Sequence, residues 1–202
     1  MLNIFARASV SRVTDPIGVW LVRRGLTPNG MTLIGTAGAI VSGLWLFGTG
    51  HLLLGTVAVT VFALFDLFDG AMARAMGGGS PFGAVLDASC DRLADGALFV
   101  GLTWYCFTVD DNRPLAGAAL VCLVLAQVTS YVKASAQAGG LTVDGGLIER
   151  AERLILALGG SLLAGLGVPF ALDVALWVLA VLSVVTVIQR IVAVSRVARE
   201  GT

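Results

Sequence analysis

Apolar positions gather into six long runs, at about 31–47, 51–75, 84–107, 114–138, 150–166 and 171–195. A helix that crosses a bilayer needs ~20 residues, within a range of roughly 17–25, so each run predicts a transmembrane helix. The breaks between them are rich in helix-stopping residues: Gly48-Thr49-Gly50, Gly77-Gly78-Gly79-Ser80-Pro81, Asp110-Asp111-Asn112-Arg113-Pro114, Gly139-Gly140 to Gly145-Gly146, and Gly165-Leu166-Gly167-Val168-Pro169. Residues 1–27 follow another pattern. Phe5, Val10, Ile17, Trp20 and Leu21 alternate with Arg7, Arg12, Arg23 and Arg24, up to a break at Leu26-Thr27-Pro28-Asn29. That stretch is too polar to span. It predicts an amphipathic helix lying in the interface, Trp20 at headgroup level and arginines toward phosphates.

The expected architecture is an all-α integral membrane protein. An interfacial helix (1–27) leads into a six-helix bundle (31–195), and the chain (1–202) forms a single membrane domain. Composition agrees. The 202 residues are 57% hydrophobic and 13% charged, and mean hydropathy is +0.91. A soluble domain carries about 25% charged residues. The formal net charge of zero gives no bulk attraction for nucleic acid. No signal-peptide pattern is expected at the N-terminus, because Arg7 and Arg12 interrupt it. Cys90, Cys106 and Cys122 sit in apolar runs at spacings that fit no zinc or redox motif, and read as small buried hydrophobes.

Charge sets an expected orientation. Twelve of the thirteen basic residues fall before the first run, around the second and fourth breaks, or at the end of the chain from Arg190 on; only Arg113 falls elsewhere. This bias places both termini in the cytoplasm, which requires an even number of spans. Glycines at 35, 38, 43, 55, 70, 83, 96 and 101 let helices approach closely, and packing accounts for most of them.

Five acids stand in the most apolar part of the chain: Asp66, Asp69, Asp87, Asp91 and Asp95. Each ionised aspartate at membrane depth costs at least ~2.5–3.5 kcal/mol on insertion scales. Such a group calls for a cation or a wet cavity. On a helix, Asp66, Asp69, Gly70, Ala73 and Arg74 fall within an arc of about 140°. On the next, Gly83, Asp87, Asp91 and Asp95 step by four along one face. The short break at 76–82 makes the two helices an antiparallel hairpin, both acidic faces near its cytoplasmic end. Carboxylates without His or Cys suit Mg²⁺ or Mn²⁺ rather than zinc. A pair of such ions can neutralise a diphosphate. Arg74 offers a fork for phosphate oxygens, and Gly70, Ala73 and Gly83 leave room for a ligand.

The string Asp66-x2-Asp69-Gly70-x2-Ala73-Arg74-x8-Gly83-x3-Asp87-x3-Asp91 puts eight identities at fixed spacing within 26 residues. It resembles the signature of the CDP-alcohol phosphotransferase family at every fixed position. The six runs and the amphipathic start extend the resemblance over essentially the whole chain. It implies a membrane enzyme that moves a phosphatidyl group from CDP-diacylglycerol onto an alcohol and releases CMP. It further implies metal binding by Asp66, Asp69, Asp87 and Asp91, two ions, Asp91 as general base, and a homodimer. The Pro28-Asn29-Gly30-Met31-Thr32 segment resembles the family's Pro-Asn-x-x-Thr cytidine-contacting element, so Pro28, Asn29 and Thr32 are nucleotide candidates. Asp66, Gly70, Ala73 and Gly83 would line the same cleft, and Arg74 would meet the diphosphate. Pro-Asn is also an ordinary helix-start signal.

The acceptor rests on other residues. Arg196 and Arg199 read as positive-inside anchors. Lys133 and Arg153 lie within, or one turn into, apolar runs, where a lone cation needs a partner. The stretches 130–134 and 144–153 resemble the branch of the family that uses inositol 1-phosphate, which makes Lys133, Arg153 and Arg190 the acceptor-phosphate candidates. Ser135 departs from that pattern, which has arginine two residues after the lysine. Glycerol 3-phosphate, giving phosphatidylglycerol phosphate, is the alternative acceptor. A divalent cation transporter is the alternative from another class, but its acids would be expected near the midplane of repeated halves. A prenyl-diphosphate transferase would carry acid clusters on two separated hairpins.

Overall fold

The computed structural model describes residues 2–142 and 146–200, the side chains of 2–11 and 200 excepted. Asp144 and Gly145 of the 144–153 stretch, and the side chains of Phe5, Arg7 and Val10, lie outside the described residues. Eight α-helices follow one another, with no strand among the described residues. They are α1 (Leu2–Arg23), α2 (Pro28–Ser42), α3 (Leu52–Ala63), α4 (Phe65–Ala75), α5 (Pro81–Thr108), α6 (Arg113–Ala138), α7 (Arg150–Gly165) and α8 (Ala171–Glu200). A π-helical turn, Gly43–Phe47, prolongs α2.

Among the described residues, four helical stretches have the length and apolar composition to cross a membrane: Pro28–Phe47, Leu52–Ala75, Arg113–Ala138 and Ala171–Arg199. The second contains α3 and α4, separated only at Leu64, whose backbone stays in the right-handed helical region. The other two expected spans are also helices. Of these, α5 carries Asp87, Asp91, Arg92 and Asp95, and α7 has 16 residues.

The helices divide into two compact units. Unit 1 comprises residues 1–42 and 57–97, unit 2 residues 43–56 and 98–202. In unit 1, α1 and α2 both pack against α4. The α1 contact is close enough that a Cβ on Gly18 would lie 2.9 Å from the Ala71 backbone. On the α2 side, a Cβ on Gly35 would meet Phe65 Cβ at 2.8 Å. Small residues thus set the distance between the chain's first two helices and the helix bearing Asp66 and Asp69. The core here includes Met31, Ala39, Ala71 and Met72. In unit 2, α8 packs against α6 and α7 over Leu115, Cys122, Leu176 and Leu179. A Cβ on Gly160 would clash with Ala175. The three cysteines are buried and unpaired with one another, as expected.

Helix ends follow the sequence closely. Thr27 caps α2, its hydroxyl accepting from Gly30 N at 3.1 Å, with Pro28 as first helical residue. Ser80 caps α5 in the same way, accepting from Gly83 N at 2.9 Å. Between α4 and α5, Gly77 and Gly78 take φ of 92° and 129°, values that favour glycine. Their N–H groups donate to the Arg74 and Ala73 carbonyls and so finish α4.

Candidate metal and phosphate site

In unit 1 the hairpin of α4 and α5 brings three carboxylates together. One oxygen each from Asp66, Asp69 and Asp87 lies within 4.8 Å of the others. Asp69 is 8% exposed, and Asp66 and Asp87 are half-buried. Oxygen atoms this close on three acids repel one another, and burial raises the cost. All-carboxylate donors at such spacing fit a hard divalent cation held through oxygen. Thr32 reaches across from α2: its hydroxyl donates to Asp69 Oδ2 at 2.5 Å.

Asp91 lies one turn beyond Asp87 on α5, half-buried, outside the converging three. Its Oδ2 is 3.8 Å from Arg92 Nη2, and the same nitrogen is 3.7 Å from Oδ2 of Asp95. Asp95 is 1% exposed, so Arg92 offsets charge at the deep end of this acidic face.

Arg74, one turn past Gly70, turns to α1. Its Nη2 donates to Asp15 Oδ1 at 2.7 Å, and both side chains are about half exposed. A Cβ on Gly70 would meet only Arg74 Nη1, at 3.6 Å, so the space beside Gly70 is open. Ala73 is half-buried on the same helix. A Cβ on Gly83 would approach Asn29 Oδ1 to 3.2 Å, so the Pro28-Asn29 element and Gly83 lie side by side.

The expected acceptor cations stand in unit 2, on α6, α7 and α8. Arg190 is buried; its Nη1 donates to the Thr129 carbonyl at 2.9 Å, and its Nη2 is 3.7 Å from Glu149 Oε1. Thr129 is one turn before Lys133, and Glu149 one turn before Arg153. Arg153 is 2% exposed; Lys133 is half-buried. The segment before α7 is strapped to α8: Leu147 N donates to Gln189 Oε1 and Ile148 N to Thr186 Oγ1. Gly146 adopts φ 149° there, and a Cβ on it would clash with Thr186.

Sequence reading missed Asp15, the Thr32–Asp69 bond, and Glu149 and the Thr129 carbonyl as partners of Arg190. Nor did it name the pairing of Arg92 with Asp95, an i,i+3 step. The others join residues 37 to 61 apart, and no local pattern marks them.

A helical hairpin that collects carboxylates, with a guanidinium one turn away, fits a divalent cation and a phosphate group. Residues 25–188 match the CDP-alcohol phosphatidyltransferase family, and the chain belongs to it. The chain is 52% identical over 195 residues to a phosphatidylinositol phosphate synthase of Mycobacteroides abscessus, covering 96% of this chain and 89% of that one. To the corresponding synthase of Corynebacterium glutamicum it is 48% identical over 193 residues, covering 95% and 88%. The crystal structure of Mycobacterium tuberculosis phosphatidylinositol phosphate synthase with CDP-DAG bound superposes with a TM-score of 0.87 at 50% identity. That superposition covers 91% of this chain and 94% of the other. The same enzyme in complex with manganese and citrate gives 0.86 at 50% identity, covering 90% and 88%. The chain is thus a membrane transferase of phospholipid biosynthesis, and its acidic cluster fits a divalent cation.

Proposed function

We propose that this protein is a phosphatidylinositol phosphate synthase. It transfers the phosphatidyl group of CDP-diacylglycerol to a hydroxyl of inositol 1-phosphate and releases CMP. Identity near 50% along almost the whole length to synthases of that name carries the reading. The convergence of Asp66, Asp69 and Asp87 supports the chemistry.

Asp66, Asp69 and Asp87 hold the cation, with Asp91 completing the set on α5. Two ions, Mg²⁺ or Mn²⁺, would neutralise the donor diphosphate and its leaving oxygen. Arg74 exchanges Asp15 for a diphosphate oxygen. Pro28, Asn29, Thr32, Asp66, Gly70, Ala73 and Gly83 border the nucleotide. The open space beside Gly70 and the closeness of Asn29 to Gly83 support that placement. Lys133, Arg153 and Arg190 take the acceptor's phosphate. Asp91 accepts the proton of the attacking hydroxyl. The new bond joins that oxygen to the lipid-side phosphorus, the P–O bond to CMP breaks, and CMP departs with the electron pair.

The protein acts as a single domain and a homodimer in a bacterial cell membrane. Six helices span, α5 and α7 among them, and α1 lies in the interface. Both termini and the site face the cytoplasm, a reading supported by the bias of basic residues.

Product analysis tests the acceptor. Full-length protein in detergent, supplied with CDP-diacylglycerol, should make phosphatidylinositol phosphate from inositol 1-phosphate far faster than it uses free inositol or glycerol 3-phosphate. Preference for either alternative would overturn the acceptor and leave the transferase class standing.

A further inference from the structure

Thr32 occupies a position that resemblance assigns to cytidine, yet its hydroxyl is bonded elsewhere. It sits 2.5 Å from Asp69 Oδ2 and 3.1 Å from the Pro28 carbonyl. A hydroxyl has one proton to give. The carboxylate is the nearer and the charged acceptor, so the proton goes to Asp69, and the Pro28 carbonyl is the usual i−4 fallback for a helical threonine.

We infer that Thr32 is a positioning residue for the cation site, fixing the Asp69 carboxylate in register with Asp66 and Asp87. The inference rests on the proposal that this triad holds the cation. An aspartate turns freely about its last torsion, whose preferences are broad. Asp69 is a donor from one helix in a set shared with α5, and a small rotation would take its oxygen out of the group. Thr32 opposes that rotation. Thr32 and Asp69 are both at least nine-tenths buried, so no bulk water competes for the bond. The α2 face that carries Thr32 continues through Gly35 and Ala39, both buried. Gly35 packs so tightly on Phe65 that any side chain there would force the helices apart. The short threonine reaches Asp69 only because that contact is close. Partners that orient metal-bound carboxylates act in this way, and their loss typically costs 10–100-fold in metal affinity.

The test separates orientation from nucleotide contact. Mn²⁺ is titrated, without nucleotide, into full-length protein in detergent, and bound metal is read by electron paramagnetic resonance. Thr32→Val keeps the shape and removes the hydroxyl; Thr32→Ser keeps the hydroxyl. Mn²⁺ affinity should fall by about 10–100-fold in Thr32→Val and stay at the wild-type value in Thr32→Ser. CMP affinity at saturating Mn²⁺ should fall less than Mn²⁺ affinity does in Thr32→Val and keep its wild-type value in Thr32→Ser. Melting without metal checks folding; should Thr32→Val not fold, Thr32→Ala against Thr32→Ser carries the same contrast. Wild-type Mn²⁺ affinity in Thr32→Val, with weakened CMP binding, would return Thr32 to the nucleotide and leave the cation triad intact. No Mn²⁺ uptake by the wild-type protein would overturn the triad and this inference together.

Discussion

Three carboxylate oxygens within 4.8 Å of one another are costly in an apolar helix pair unless a cation or water offsets their charge. Asp91, one turn further along α5, has Arg92 Nη2 at 3.8 Å, and its proposed task is to take the acceptor's proton while completing the carboxylate set. Asp91→Asn keeps the size and most of the hydrogen bonding. Turnover should fall by ~10² or more, as for loss of a general base, with CDP-diacylglycerol binding intact; near-normal turnover would remove Asp91 from that role. Arg74 gives a second prediction. Its pair with Asp15 is half exposed, and such pairs are worth about 0–1 kcal/mol. Asp15→Asn should therefore leave the melting temperature nearly unchanged. Arg74→Ala should raise KM for CDP-diacylglycerol, since a charge-assisted phosphate contact is worth about 1.5–3 kcal/mol. Equal and small effects from both variants would mean that Arg74 serves only the ion pair.

At the scale of elements, α4 is clamped between α1 and α2, and Gly18 is the closest point of the clamp on one side. Gly18→Val should overpack it at a cost of about 1–3 kcal/mol, seen as a lower melting temperature. An unchanged melting temperature would show that α1 does not bear on α4 in the folded protein. Helix positions were largely legible in sequence, because glycine and proline clusters punctuate apolar runs whose length the bilayer dictates. The run at 114–138 is α6 at Arg113–Ala138, and that at 150–166 is α7 at Arg150–Gly165. The acidic faces were legible for a similar reason: Asp66 and Asp69, and Asp87, Asp91 and Asp95, recur at helical spacing. What could not be read was which faces meet. Thr32 finds Asp69 and Asp15 finds Arg74 only after α1 and α2 have docked on α4, and docking depends on shape at Gly18 and Gly35 rather than on any repeat. The π-helical turn at Gly43–Phe47 is of the same kind. A Cβ on Gly101 would clash with the Gly43 carbonyl, so a contact between distant residues coincides with the altered turn.

The whole molecule is expected to pass through the bilayer six times, with both ends on the cytoplasmic face. Reporter domains fused to either terminus should then both report the cytoplasm; opposite sides would mean an odd number of spans, with α5 or α7 failing to cross. Cation dependence reaches further, because in the proposed reaction donor binding and leaving-group release both depend on the acidic hairpin of unit 1. Full-length protein in detergent is stripped with EDTA, given CDP-diacylglycerol and inositol 1-phosphate, and followed by CMP release. Release should stop, and Mg²⁺ or Mn²⁺ should restore it in the wild-type protein but not in Asp87→Asn. Undiminished CMP release after exhaustive chelation would contradict cation-dependent phosphatidyl transfer at Asp66, Asp69 and Asp87.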